Sequence, residues 1–206
     1  MSRKQDIPKI KTIMLGETTV GKTTLTLRLR DDKCDEQVYA TVGATFTMAY
    51  RGNIKYDVWD TGGQERFRCL MPMYIRDSRI VIFVFDVTDM KSFDIINGYA
   101  SQLGVLKDYY IIIIGNKIDL LNDEQLKTVA NLTKDKLERV ILKDQVWDCV
   151  LVSAKEGENF DTFLKILNEC AKELCKEKIE NNTIIEQSHS PIILVEENND
   201  NTYCSC

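Results

Sequence analysis

The sequence predicts an α/β domain: a six-stranded, mainly parallel sheet with one antiparallel edge strand and helices on both faces. Three observations predict it. Short apolar runs alternate with longer segments of helical period, the pattern of strand–helix–strand crossovers. Two of these runs, "IVIFVFD" and "YIIIIGN", are apolar without alternation, as expected of central strands covered on both faces. Finally, "ATFTMAYR" and "IKYDVWD" are separated only by Gly52-Asn53, a connection that closes an antiparallel hairpin at a sheet edge.

In chain order, the first strand spans 9–15 and leads through a glycine-containing loop into a helix over 22–30. The hairpin strands follow at 44–50 and 54–60, and helical period then covers 66–76. The central strands lie at 80–86 and 110–115, flanking a helix over 91–106. A long helical segment over 123–143, a strand at 149–153 and a helix over 157–176 complete the body. After Lys176 the chain is rich in Asn, Glu and Ser, so residues 1–176 are expected to form the domain and 177–206 a flexible tail. Within that tail "PIILVE" is either an apolar scrap or a patch that docks on a groove of the body or of a partner.

Composition narrows the function classes. At 206 residues, one domain can bury roughly 70% of the surface of the unfolded chain. No apolar run approaches a membrane span and the N-terminus lacks a secretory signal, which points to the cytosol. Seven scattered cysteines suit neither a disulfide framework nor a zinc site. The tail holds six acids against Lys178 alone and accounts for the whole net charge of −5. The body is therefore neutral, with no electrostatic footprint for nucleic acid.

"GETTVGKT" (16–23) matches G-x-x-x-x-G-K-[ST] between a strand and a helix. Gly16 and Gly21 let the backbone turn so that N–H groups of Thr18, Thr19, Val20 and Thr24 can converge on an anion at a helix N-terminus. Lys22 supplies a charge for the β- and γ-phosphates, and the Thr23 hydroxyl is a ligand for Mg²⁺. The plainer alternative is a glycine turn that starts an ordinary helix. "NKID", after the strand "YIIIIG", addresses the base. Asp119 can accept from N1–H and N2–H of guanine, a pattern adenine lacks, while Asn116 can bond to the base edge and Lys117 can lie along the ring or loop. Alone, this tetrapeptide also fits a strand end followed by a turn; "SAK" (Ser153, Ala154, Lys155) after the next strand favours the base site.

Thr23, Thr41 in "ATVGATF", "WDTGGQERF", "NKID" and "SAK" resemble, in this order, the nucleotide-contacting segments of small GTPases of the Ras superfamily, and within it the Rab family. "RFRCLMPMYIRDS" (66–78), "GETTVGKT" and the ending "CSC" are most similar to the Golgi-associated Rab branch, while "ATVGATF" and "PMY" also resemble endosomal Rabs. The resemblance implies the P-loop NTPase fold, GTP or GDP with Mg²⁺ as ligands, and a switch in vesicle trafficking. It implies that Asp60 holds Mg²⁺ through water, that Gly63 brings its N–H to the γ-phosphate, and that Gln64 orients the attacking water. Thr41 would bind Mg²⁺ through its hydroxyl and the γ-phosphate through its N–H. The implied turnover is on the order of 10⁻⁴ to 10⁻² per second without an activating protein. Loss of the γ-phosphate would release segments 34–44 and 61–74 together, and Phe46, Trp59 and Tyr74 resemble the aromatic triad shown to effectors; packing in a half-buried hairpin explains Phe46 and Trp59 equally well.

Cys204 and Cys206 look like the Cys-x-Cys ending that Rabs use for double geranylgeranylation, and two lipids anchor stably where no basic cluster assists. Expected partners are an exchange factor, an activating protein, effectors and prenyl-chaperone proteins, with no nucleic acid. The expected place is the cytoplasmic face of Golgi membranes before endosomes, with a cytosolic pool. Thr19, where many relatives have a smaller residue, leaves open a GTP-binding scaffold that scarcely hydrolyses. A phosphate-loop kinase or ATPase would lack the guanine aspartate. The hairpin is shorter and the segment 121–150 longer than the Rab pattern.

Overall fold

The computed structural model describes residues 7–33, 39–63, 70–104, 106, 108–179 and 193–194, with 177–179 and 193–194 as backbone. Strands β1 (Lys9–Leu15), β2 (Ala44–Arg51), β3 (Ile54–Thr61), β4 (Ile80–Asp86), β5 (Tyr110–Asn116), β6 (Val146–Val152) and β7 (Ile193–Leu194) form one sheet in the order β2-β3-β1-β4-β5-β6-β7. Among the described strands, only β2 and β3 pair antiparallel, joined through Gly52-Asn53 as the short connection requires. β6 begins at Val146, earlier than the expected 149, because Val146 still pairs with Ile111 across a register shift. The sheet also exceeds the six expected strands: Ile193 and Leu194 pair with Cys149 and Val150, so this part of "PIILVE" lies on the body.

The unalternating runs serve two cores. Ile80, Ile82 and Val84 of β4, with Ile112 and Ile114 of β5, face a cluster that includes Leu25, Leu29, Phe163 and Leu167. Val81, Phe83, Phe85, Ile111 and Ile113 face the other, with Met71, Ile75, Leu103 and Val129. Helices α1 (Lys22–Asp31) and α6 (Phe160–Ile179) therefore cover one face, while α2 (Met71–Ile75), α3 (Ile95–Gly98), α4 (Ala100–Leu103) and α5 (Asp123–Leu137) cover the other.

Two expected helices are shorter than their periodicity suggests. The 91–106 segment is a 3₁₀ turn over Met90–Phe93 followed by α3 and α4; Asp89 caps the turn and Ser92 accepts from the Asp86 N–H. The described part of the 66–76 helix is α2, since 66–69 lie outside the described residues. α5 starts on a capping box between Asn122 and Gln125 but ends at Leu137 rather than 143. Beyond it the Asn97 side chain accepts from the Ile141 N–H (2.9 Å) and donates to the Arg139 carbonyl (3.3 Å), satisfying backbone that a continuing helix would have paired internally.

Candidate active site

Parallel strands bring the functional residues together because their carboxyl ends share one edge of the sheet, where open α/β folds bind ligands. The loop after β1, Asp60 in β3, Asp86 ending β4, Asn116 ending β5 and Ser153 after β6 all lie there.

The phosphate loop wraps the Lys22 amine. Nζ donates to the Gly16 carbonyl (3.0 Å) and the Glu17 carbonyl (2.5 Å), and the side chain is buried. Burial pushes this amine down to about 8, with the charges of Asp60 and Glu17 opposing the shift. A phosphate anion would supply what this desolvated cation lacks. Gly21 begins α1 at φ 98°, and a Cβ there would lie 2.1 Å from Asn116 Nδ2, so only glycine allows the base segment to close on the loop. Thr18 and Thr19 are exposed, Val20 is core and Thr24 is half-buried on α1. Thr19 sits at φ 63°, a left-handed conformation that a β-branched residue rarely adopts.

Beside it three oxygens converge. The Thr23 hydroxyl donates to Asp60 Oδ2 (2.6 Å), the Thr41 hydroxyl lies 3.2 Å from the same oxygen, and the two hydroxyls are 2.9 Å apart. Among the described residues, the buried Asp60 Oδ1 has no hydrogen-bond partner. Burial pushes the Asp60 carboxyl up, against hydrogen bonds from Thr23 and Thr41 and the charge of Lys22. Two hydroxyls and a desolvated carboxylate with one orphaned oxygen fit a hard divalent cation such as Mg²⁺. Gly63 packs on the phosphate loop, and the Gly62 N–H donates to the Gly43 carbonyl (2.7 Å), joining the two segments expected to move together.

At the base end, Asn116 Nδ2 donates to the Val20 carbonyl (2.8 Å) and Oδ1 accepts from the Ala154 N–H (2.9 Å). Its buried amide ties the phosphate loop to the "SAK" loop and keeps a second N–H for a base edge. The Ser153 hydroxyl donates to Asp119 Oδ1 (2.6 Å), and Lys117, at φ 75°, pairs with Asp86 at 2.6 Å. Desolvation would raise the Asp86 carboxyl, but hydrogen bonds from Lys117 and Thr88 hold it below the usual range. Asp86 was not among the sequence candidates, although a carboxylate ending a central strand is the same signal that singles out Asp60. Lys155 is exposed beside Glu156. Gln64, Cys204 and Cys206 lie outside the described residues.

Phe46, Trp59 and Tyr74 form one aromatic run, with ring centroids 5.4 and 5.7 Å apart. Phe46 stays 46% exposed, so packing does not consume it.

Comparison with known proteins decides the family, because residues 11–173, which hold every base and phosphate residue above, match the Ras family. The chain belongs to the Ras family. It is similar to the Ras-related protein RabJ of Dictyostelium discoideum, 37% identical over 164 residues, which cover 76% of this chain and 61% of that protein. The GTP-binding protein YPT53 of Saccharomyces cerevisiae is 35% identical over 166 residues, 78% of this chain and 75% of its own. The Ras-related protein Rab-18 of Lymnaea stagnalis is 38% identical over 134 residues, 62% of this chain and 66% of its own. This chain is thus a Rab-type member of the Ras family, spanning about two thirds of the length of these relatives. Among the described residues, no helix is long and apolar enough to cross a membrane.

Proposed function

We propose that this Rab-type chain binds GTP and GDP with Mg²⁺, hydrolyses GTP slowly, and switches effector binding in vesicle trafficking. The observation that carries this reading is the joining of Thr41, Thr23 and Asp60 beside the buried Lys22 amine, which puts the segment before β2, the phosphate loop and β3 in one oxygen cluster. Lys22 neutralises the β- and γ-phosphates, and Thr23, Thr41 and Asp60 hold Mg²⁺. The ion, when bound, offsets charge on the phosphate oxygens. Gly63 and Thr41 donate backbone N–H groups to the γ-phosphate. Gln64 orients a water whose oxygen bonds to the γ-phosphorus as the bond to the β-bridging oxygen breaks, leaving GDP and phosphate. Asp119, oriented by Ser153, selects guanine.

Loss of the γ-phosphate frees Thr41 and Gly63 together, and the Gly62–Gly43 hydrogen bond ties the two releases. The partly exposed Phe46–Trp59–Tyr74 run supports an effector surface that reads the change. Cys204 and Cys206 are the residues that would carry two prenyl groups and hold the chain to the cytoplasmic face of an internal membrane, with Golgi favoured by the resemblance of 66–78. An exchange factor, an activating protein and a prenyl chaperone complete the cycle.

Single-turnover hydrolysis of bound GTP tests the enzyme reading. Gln64→Leu should slow the wild-type rate by up to about 100-fold. Tight GTP binding with no wild-type turnover would favour the second reading, a non-hydrolysing scaffold, which the exposed and strained Thr19 motivates.

A further inference from the structure

Arg28 lies on the last turn of α1, outside every nucleotide motif, yet its guanidinium is spent on the loop of another one. Nε donates to the Ala154 carbonyl (2.5 Å) and an Nη donates to the Lys155 carbonyl (2.5 Å). The other Nη reaches the Asp32 carbonyl (3.4 Å), and the group lies 5.8 Å from the centroid of the Phe160 ring, which backs it. A planar fork on two consecutive carbonyls fixes both their direction and their spacing.

We infer that Arg28 is a positioning residue for guanine recognition: it holds the Ala154 and Lys155 carbonyls, and through them sets Ser153 against Asp119. This rests on reading 153–155 as the loop beside the base. The Ala154 residue is held at both ends, with its N–H on Asn116 Oδ1 and its carbonyl on Arg28, so its backbone has little freedom while the fork is in place. Ser153, one residue earlier, donates to Asp119 and takes the Glu156 N–H on the same oxygen. Tilt at Ala154 therefore reaches the aspartate through a single hydroxyl. The fork is in turn anchored to the edge hairpin. Arg51, the last residue of β2, donates to the Arg28 carbonyl (3.1 Å) and pairs with Asp32 (2.7 Å). A continuous set of contacts thus runs from the hairpin between the two switch segments, through the end of α1, to the base loop.

The test compares Arg28→Ala and Arg28→Lys with wild type, using the full chain. Two quantities are read: the release rate of a fluorescent guanosine diphosphate analogue, and the ratio of affinities for guanosine and inosine diphosphate, which differ in the exocyclic amine that Asp119 would accept. Loss of the charged fork should speed release by about 10- to 100-fold for Arg28→Ala. The guanosine-to-inosine ratio should fall as well, and Arg28→Lys, which keeps the charge but not the fork, should lie between. If Arg28→Ala does not fold, the lysine variant carries the test alone. A merely structural role would weaken both nucleotides equally, and an unchanged ratio overturns the inference. Asp119→Asn is measured in parallel. If it shifts the ratio and the Arg28 variants do not, the inference alone fails; if it leaves the ratio unchanged, the base-loop reading fails and takes the inference with it.

Discussion

Replacing Gly63 by alanine probes how closely the chain after β3 must approach the phosphate loop. A Cβ at this position would lie 2.3 Å from both Glu17 C and Thr18 N, and 2.5 Å from Glu17 O. Unstrained carbon contacts need about 3.5–4.0 Å, so the two backbones must separate by more than about 1 Å. All three neighbours are main-chain atoms of the loop that binds phosphate, and no side-chain rotation can make room. Overpacking of this kind costs about 1–3 kcal/mol, which lowers the melting temperature of a domain this size by roughly 2–12 °C. A greater effect is expected on function, because the displaced segment carries the N–H meant for the γ-phosphate. Gly63→Ala should lose most of its preference for GTP over GDP and most of its single-turnover hydrolysis. Differential scanning fluorimetry of the GDP-loaded protein and a paired GTP/GDP affinity measurement read both effects. A melting temperature within about 1 °C of wild type, together with unchanged turnover, would refute the steric reasoning.

Two further substitutions test local energetics. Thr19→Gly should raise the melting temperature by roughly 1–4 °C, because relief of about 1–2 kcal/mol of left-handed strain at φ 63° outweighs the extra entropy of glycine in the unfolded chain; an unchanged or lower value contradicts it. Tyr56 is fully buried and donates to Asn168 Oδ1 (2.9 Å), and burial, with smaller contributions from Cys170 and Cys175, pushes its phenol well above the usual range. Above about pH 10 the unfolded phenol ionises while the folded one does not, so stability falls as pH rises. Tyr56→Phe should cost about 1 kcal/mol at neutral pH and flatten part of that alkaline fall, as urea denaturation from pH 7 to 11 would show.

Much of this molecule is legible along the chain because some physical demands are local. A strand covered on both faces must be apolar along its length, and β4 and β5 are up to the polar Asp86 and Asn116 that end them. A two-residue connection can join only antiparallel neighbours, and Gly52-Asn53 does. An anion held by backbone N–H groups needs glycines and a lysine at set spacing, so Gly16, Gly21 and Lys22 are recognisable before any coordinates. What periodicity cannot convey is where a distant group will satisfy the backbone. Asn97 ends the run after α5, although it lies 44 positions from Ile141 in the chain. Residue type names a side chain's possible bonds and leaves the partner open. The Asn116 amide suits a base edge, and tertiary packing adds bonds to Val20 and Ala154 that residue type leaves open. Arg28 reads as an ordinary helical cation until the chain brings the loop after β6 across it. Local chemistry thus determined the fold class and the phosphate loop. The coupling between base, phosphate and hairpin was decided only when distant residues shared hydrogen bonds, Asn116 with Val20 across 96 positions and Arg28 with Ala154 across 126.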